Sequence, residues 1–195
     1  LAMEYEKNRR LYHDMNNHNL VMWKLAEKGE YERLHKYIGK LRPLEKDRHR
    51  QWTQNLILDM ILEYKLLAME KKKILYEIKT DMIGEIALAD KELCILLGNL
   101  LDNAIEACEK LEEEKRMVKI EVRKHHSMFM LIVENSCEAH AQVRKGIFRT
   151  TKKDDRMHGY GIHNVRKTVK NRGGQFQYGS RGENFYVKIL IPLVI

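Results

Sequence analysis

The sequence predicts an α+β fold, an N-terminal helical hairpin followed by an α/β sandwich, and two observations support this prediction. Up to Lys73, apolar residues recur every three or four positions, which is the spacing of amphipathic helices. After Lys73, short alternating segments typical of strands separate the helical ones. This change in pattern predicts two domains, residues 1–73 and 74–195. A chain of 195 residues with 44% hydrophobic content is long enough for both.

The first domain is predicted to consist of amphipathic helices. Residues 4–28 form one long helix ended by Gly29, and residues 31–41 form a further helical segment interrupted before Pro43. A second long amphipathic run covers residues 51–72. Two such helices cannot bury a continuous apolar stripe alone. We therefore expect pairing with a second copy of the chain, which would give a dimeric four-helix bundle.

In the second domain, strands and helices alternate. A turn at residues 125–127 joins two strands as a hairpin, and Gly173 and Gly174 close the last helix. Mixed strands with helices on one face give an α/β sandwich. The predicted strands are residues 74–79, 118–123, 129–134, 175–178 and 185–191, and the predicted helices are residues 90–114 and 162–171.

The most informative segment is the apolar helical run that contains Asn99 and Asn103. Leucine, alanine and isoleucine recur through residues 96–107 at helical spacing, so the two asparagines share one edge of the helix. Neutral carboxamides cannot do acid–base chemistry, but their oxygens can bind Mg2+, which is commonly held through substrate phosphates. The alternative is a helix with polar residues at its rim.

A second segment carries two glycines at the start of a helix. Gly159 and Gly161 lead into an amphipathic pattern, where the missing Cβ lets a ligand approach and the first helical amides favour phosphate. Cations concentrate in this part of the chain, since residues 140–195 hold 12 Lys and Arg against 3 Asp and Glu. The alternative is a turn beside a solvated basic face.

Together, the two segments resemble the nucleotide-binding boxes of the superfamily that unites gyrase B, the heat-shock chaperone, histidine kinases and mismatch-repair ATPases. Residues 99–104 are similar to the asparagine box, and residues 158–162 to the second glycine box. The resemblance implies ATP and Mg2+ as cofactors and Asn103 as the metal ligand, and we expect Phe148 and the segment 149–156 to form a mobile lid over ATP. The cofactor-binding residues that it implies here are Asn99, Asn103, Lys152, Gly159 and Gly161.

Asn99 distinguishes two classes within that superfamily. Hydrolysing members have a glutamate four residues before the magnesium-binding asparagine, where it activates water, and this chain has Asn99 in that place. The resemblance therefore favours a kinase, which must keep water from attacking the phosphate, over an ATPase motor.

A third pattern lies near the N-terminus, at residues 13–18. It resembles the phosphoacceptor box His-Asp-x-x-Asn-His of the sensor histidine kinases associated with peptide-pheromone quorum sensing. By this resemblance, His13 is phosphorylated, Asp14 orients its ring and takes its proton, and Asn17 positions water for dephosphorylation. A neutral imidazole is a usable nucleophile near pH 7. No other histidine of the chain has this context.

The first glycine box of histidine kinases is altered in this chain. Its pattern is Asp-x-Gly-x-Gly, and its aspartate accepts a hydrogen bond from adenine, whereas residues 131–138 contain no glycine. The pheromone-kinase branch tends to have an Asn-Ser segment there, so Asn135 is expected to replace the aspartate through its side-chain oxygen. The alternative is that Asn135 only ends a strand and begins a turn.

Charge and composition bear on partners and location. The net charge of +8 would suit nucleic acid, but no helix-turn-helix, zinc finger or aromatic-stacking motif accompanies it, so no nucleic-acid partner is expected. The three cysteines form no Cys-x-x-Cys pair and suit a reducing compartment. There is no run of about 18 apolar residues. We expect the cytoplasmic portion of a membrane receptor, with the upstream sensor region left off.

These observations predict a protein histidine kinase that autophosphorylates His13 with ATP. The phosphoryl group would then pass to an aspartate of a response regulator in two-component signalling. The expected partners are that regulator and a second copy of the chain. The alternative function is a phosphatase or phosphotransfer scaffold with weak nucleotide binding, suggested by the altered box at Asn135.

Overall fold

The computed structural model describes residues 2–41, 51–138 and 160–193. The chain divides into two compact units, Leu1–Arg48 and His49–Ile195. The predicted division at residues 73/74 differs, because the helix expected to complete the first domain belongs to the second unit. Its apolar side chains are buried in the same core as the sheet: Leu58, Leu62, Leu66 and Met69.

The first unit contains α1 (Ala2–Glu27) and α2 (Tyr31–Leu41), close to the predicted bounds. Gly29 adopts a φ of 68° and donates its N–H to the carbonyl of Ala26 at 3.0 Å, which ends α1 as predicted. Nδ1 of His18 and the hydroxyl of Tyr37, 2.8 Å apart, connect the two helices. No described side chain of this unit is buried. The dimeric bundle remains a prediction.

The second unit begins with α3 (Leu56–Lys71), which is shorter than the predicted run from residue 51. The side chain of Asn55 accepts a hydrogen bond from the N–H of Leu58 at 3.1 Å and so caps the helix. Just before it, the buried hydroxyl of Thr53 donates to the Asp59 carboxylate at 2.7 Å. These capping contacts fix the start of α3 and exclude residues 51–55 from it.

The other elements of the second unit follow the predicted order. The predicted helix at residues 90–114 ends early, since Arg116 donates to the carbonyls of Leu111 and Lys72 and holds a loop there. The elements are β1 (Leu75–Thr80), α4 (Asp90–Leu93), a π-helical turn (Cys94–Gly98), α5 (Asn99–Cys108), a 3-10 turn (Glu113–Lys115), β2 (Met117–His125), β3 (Met128–Ser136), α6 (Tyr160–Asn171), β4 (Gln175–Arg181) and β5 (Asn184–Pro192).

The five strands form one sheet in the order β1-β2-β3-β5-β4. β1 and β2 run parallel, and the other neighbouring pairs are antiparallel. Alternate residues of the central strands are buried under the helices, while their neighbours face away, so the predicted α+β sandwich is confirmed. Among the described residues, no helix is long and apolar enough to cross a membrane. The buried sheet residues include Val118, Ile120, Val122, Phe129, Leu131, Val133, Val187, Ile189 and Ile191.

Candidate functional site

Asn99 is held in place by a local irregularity of its helix. The π-helical turn Cys94–Gly98 lies directly before it, and such turns occur frequently at functional sites. The amide nitrogen Nδ2 of Asn99 donates to the carbonyl of Ile95 at 2.7 Å. Because this hydrogen bond fixes which way the carboxamide faces, its oxygen is the acceptor that Asn99 presents to its surroundings.

Gly161 lies against that oxygen. It sits in the first turn of α6, and a Cβ built on it would lie 3.0 Å from Oδ1 of Asn99. A side chain here would displace Asn99 or the helix end. The structure therefore brings together Asn99 and Gly161, which lie 62 positions apart in the sequence. Two other predicted residues, Lys152 and Gly159, lie outside the described residues, as does the predicted lid at residues 149–156.

Asn103 follows Asn99 by one turn of α5, as the spacing predicts. Its amide nitrogen Nδ2 is buried and has no hydrogen-bond partner within the described ranges. A buried polar atom without a partner is costly and calls for an explanation such as a missing ligand, water or ion. The unpartnered nitrogen is a donor and can meet an acceptor such as a water or a ligand oxygen, while the carboxamide oxygen is the atom of Asn103 that could bind a metal.

Lys65 is a residue of this site that the sequence analysis missed. It lies on α3, and its Nζ is 2.5 Å from Oδ1 of Asp102, the residue before Asn103. Only 11% of the Lys65 side chain is exposed, against 57% for Asp102. A signal was present in the sequence, because Lys65 interrupts the apolar stripe of α3 next to Leu66.

An ion pair anchors the helix of the asparagines to α6. The guanidinium of Arg172 donates to both carboxylate oxygens of Glu92, at 2.8 and 2.5 Å. Arg172 keeps the pKa of Glu92 below its usual value, and the hydrogen bond from the N–H of Ala89 adds to this effect. Such bidentate pairs fix geometry as well as charge. The pair holds α4 against the end of α6.

Asn135 lies near the end of β3, on the face covered by the helices. It is 5% exposed, and its Nδ2 donates to the neighbouring carbonyl of Ser136 at 2.9 Å. The oxygen of the carboxamide is thus the group that can accept a hydrogen bond. The same Ser136 carbonyl lies 3.8 Å from Sγ of Cys108, the last residue of α5. Asn135 is therefore close to the opposite end of α5 from Asn99.

The cysteines show no sign of reactivity. Burial raises the pKa of the thiols of Cys108 and Cys137, which disfavours the thiolate. Cys94 is exposed. Within the part of the chain that is described, no group of three or more His, Cys, Asp and Glu side chains could hold a metal ion.

The predicted phosphoacceptor residues lie on α1 in the first unit. Nδ1 of His13 is 3.6 Å from Oδ1 of Asp14 and 3.2 Å from Nδ2 of Asn17. Both neighbours therefore approach the same ring nitrogen, and Nε2 is the nitrogen to which neither contact is made. The His13 side chain is 75% exposed, so this nitrogen is accessible to another molecule or domain.

Solved structures with this fold include catalytic domains of kinases. The catalytic domain of histidine kinase ThkA is 22% identical, with a TM-score of 0.57 over 71% of this chain and 91% of that one. The Acinetobacter baumannii histidine kinase AdeS is 17% identical, with a TM-score of 0.52 over 86% and 82%. The histidine kinase domain of the Erythrobacter litoralis blue-light activated kinase EL346 is 14% identical, with a TM-score of 0.51 over 74% and 65%.

The family comparison agrees with the fold and with the site. No curated protein gives a significant match to the sequence. A family profile described as the GHKL domain matches residues 88–192, a range that contains the asparagine helix, the sheet strands β2 to β5, and α6. This range is more than half of the chain, and the chain therefore belongs to the GHKL domain family.

Proposed function

We propose that this chain is the cytoplasmic part of a sensor histidine kinase of the peptide-pheromone branch. It binds ATP in the second unit and transfers the γ-phosphoryl group to His13, from which a response regulator takes it. The observation that carries the proposal is the unpartnered amide of Asn103 beside the contact of Asn99 with Gly161. Within a GHKL domain, these are the positions that the family resemblance assigns to the nucleotide and its metal.

The arrangement along α5 suits an extended nucleotide. Asn99 and Asn103 occupy its first turns, and the N-terminus of α6, a favourable place for phosphate, adjoins Asn99. Asn135 lies near the other end of α5, beside Cys108. Its carboxamide oxygen can accept a hydrogen bond from the amino group of adenine. The base would thus bind near Asn135 and the phosphates near Asn99 and Asn103.

Asn103 is the proposed protein ligand of Mg2+. When bound, the ion would neutralise charge on the transferring phosphates. Asn103 would hold the metal–nucleotide complex through its side-chain oxygen. Asn99 cannot act as a general base, because a carboxamide does not titrate and its nitrogen is already bonded to the Ile95 carbonyl. Water at the γ-phosphate therefore lacks an activating group at this position, which favours phosphoryl transfer over hydrolysis.

The chemistry at His13 follows from its two neighbours. Attack by Nε2 requires the tautomer with the ring proton on Nδ1, which the Asp14 carboxylate, 3.6 Å from Nδ1, would favour by its negative charge; in that tautomer the carboxamide of Asn17 would turn its oxygen toward Nδ1 in place of the nitrogen that now lies 3.2 Å away. A bond forms between Nε2 and the γ-phosphorus, the bond from that phosphorus to the bridging oxygen breaks, ADP leaves, and Asp14 takes the proton from Nδ1. A regulator aspartate then displaces the imidazole from phosphorus. Asn17 would position water for the later hydrolysis of the regulator's phosphoaspartate.

The acceptor helix is proposed to work as a dimer. Large apolar side chains of α1 are exposed, among them Met15, Leu20 and Trp23. A second copy of the chain would cover such side chains and bring helices from two protomers into one bundle. The bundle would present two copies of His13 to catalytic domains and regulators.

A separate observation favours a second candidate function. The segment around Asn135 contains no glycine, and the amide nitrogen of Asn135 bonds to its own neighbour. Adenine binding would be weak if the oxygen of Asn135 did not reach the base. In that case the chain would serve as a phosphatase or phosphotransfer scaffold.

Incubation with γ-labelled ATP and Mg2+ tests the proposal. We expect label in the protein that is lost in acid and retained in alkali, because phosphohistidine is acid-labile and alkali-stable. Label that survives acid would indicate phosphorylation of a hydroxyl group instead. Absence of label together with dephosphorylation of a phosphorylated regulator would favour the scaffold or phosphatase.

A further inference from the structure

The ion pair between Lys65 and Asp102 is unusual for its place in the fold. Lysine is almost never buried unless it is paired, and removing its charge from water is costly. Lys65 nevertheless lies in the apolar stripe of α3, where its Nζ also lies 5.2 Å from the centroid of the Tyr64 ring. A leucine or methionine would satisfy packing at this position. Packing alone therefore does not explain the lysine.

The position of Asp102 supplies an explanation. It follows Asn99 by three residues and precedes Asn103 by one, so its side chain neighbours the asparagine edge of α5. More than half of its side chain is exposed. Without a cation beside it, this carboxylate would place a negative charge close to the proposed phosphate site. The charge would repel a nucleotide polyphosphate.

We infer that Lys65 is a positioning residue for the polyphosphate and acts through Asp102. It holds the carboxylate toward α3 and neutralises its charge, so that the asparagine edge of α5 accepts a polyanion. This inference rests on the proposed function, since it requires that phosphates bind at Asn99 and Asn103. Lys65 would thus affect nucleotide binding without touching the metal or the nucleotide itself.

The protein contains a matched control pair. Lys72 and Glu109 also form an ion pair between the end of α3 and the end of α5. Glu109 lies seven residues beyond Asp102, which is about 10 Å further along the helix axis. The two pairs therefore have the same chemistry and connect the same helices at different distances from the proposed phosphates.

The experiment measures nucleotide affinity of the full chain by calorimetry. The variants are Lys65→Met, Asp102→Asn, the double variant, and Lys72→Met as control. We expect Lys65→Met to weaken Mg2+-ATP binding by on the order of ten-fold, because it leaves a charge near a polyanion. The loss should be smaller for ADP and absent for adenosine. The double variant should recover parental affinity, and Lys72→Met should not change it.

If Lys65→Met does not fold, Asp102→Asn tests the inference by itself. Asp102→Asn removes the negative charge and should bind Mg2+-ATP as tightly as the parent or more tightly. Weaker binding by Asp102→Asn would overturn the inference. So would a Lys65→Met protein that melts at lower temperature yet binds Mg2+-ATP like the parent, since the pair would then be structural only. A parent protein that binds no nucleotide would instead refute the proposed function itself.

Discussion

The two units of this chain differ in how they bury apolar surface. The second unit packs α3, α5 and α6 on one face of its sheet, and its core includes fully buried residues such as Leu97, Leu101 and Phe129. In the first unit, none of the described side chains is buried, and Leu20 and Trp23 are more than half exposed. The second unit can fold around its own core. The first unit needs another surface to cover its apolar residues.

This difference matches the two roles proposed for the units. A nucleotide site needs groups fixed in advance, and Asn99 is fixed by hydrogen bonding to Ile95 and by close contact with Gly161. A phosphoacceptor must meet a catalytic domain and then a regulator, and His13 is 75% exposed on its helix. The fixed side chains lie in the unit proposed to bind the nucleotide, and the accessible histidine lies in the unit proposed to be phosphorylated.

The largest expected effect is a complete loss of phosphorylation that leaves nucleotide binding unchanged. His13→Gln should abolish labelling by γ-labelled ATP, because the glutamine side chain has no nucleophilic nitrogen. Nucleotide affinity should remain parental, since the proposed ATP site lies in the other unit. Autoradiography and calorimetry on the same preparation measure the two effects.

A control for that variant is His35→Gln, which changes an exposed histidine of α2. It should leave labelling unchanged. Full labelling of His13→Gln would remove His13 from the mechanism. Loss of nucleotide binding in His13→Gln would contradict the assignment of acceptor and nucleotide site to separate units.

The next effect concerns the second unit alone. Asn103→Ala should abolish Mg2+-dependent ATP binding, because it removes the proposed metal ligand, while the unit stays folded. The cost to folding should be small, since the amide nitrogen has no partner in the described residues and removing it relieves an unsatisfied group.

Asn103→Asp is the sharper variant at that position. It keeps an oxygen ligand and adds a negative charge, so we expect metal binding to survive while triphosphate is repelled and transfer fails. Calorimetry with and without Mg2+ distinguishes the two variants. Parental Mg2+-ATP affinity in Asn103→Ala would mean that the asparagine box is structural.

The sequence predicted the second unit well where periodicity and turn residues act locally. The hairpin of β2 and β3, the close of α6 at Gly173, and the helix of Asn99 all occur near the predicted positions. Asn99 of the asparagine box lies close to Gly161 of the second glycine box, as expected if the two boxes form one site. The hairpin and the helix ends are decided by residues that are close in the sequence. The contact of Asn99 with Gly161 joins two motifs that the family resemblance pairs.

The failures have a common physical cause. Periodicity showed that α3 has a buried face but could not show against which surface that face packs, so α3 was assigned to the wrong unit. The pairs of Lys65 with Asp102 and of Arg172 with Glu92 join residues 37 and 80 positions apart. A local pattern can mark a residue such as Lys65, which interrupts an apolar stripe, but its partner depends on tertiary structure and is not predicted by any local pattern in one sequence.

A smaller effect is expected at the exposed apolar surface of the first unit. Leu20→Lys should weaken self-association by about 100-fold, because burying an unpaired ammonium in an interface is costly. Sedimentation equilibrium measures the dissociation constant. Asn19→Lys adds the same charge at an exposed polar neighbour and should have little effect. If Leu20→Lys associates like the parent, this surface does not form the dimer.

The smallest effect concerns the ion pair of Glu92 with Arg172. The pKa of Glu92 is lowered in the folded protein, chiefly by Arg172, so the pair stabilises the fold at pH values above the ordinary glutamate value of 4.5. This stabilisation is lost as the pH falls below 4.5 and through the lower pKa of the folded state. Glu92→Gln should therefore lower the melting temperature at pH 7 by roughly 2–5 °C. The difference from the parent should shrink as the pH falls through the lowered pKa of Glu92, because the protonated carboxyl is neutral like the glutamine amide.

Tryptophan fluorescence can follow this change in the second unit alone. The chain has two tryptophans, Trp23 in the first unit and Trp52 packed against the core of the second, so a Trp23→Phe background leaves one reporter. Glu113→Gln serves as the control, because its pair with Lys73 is largely exposed and such pairs contribute little. An equal shift in both variants would mean that Arg172 does not anchor α4 to α6. A shift confined to Glu92→Gln, and lost at low pH, would identify this pair as the one that anchors α4 to the end of α6.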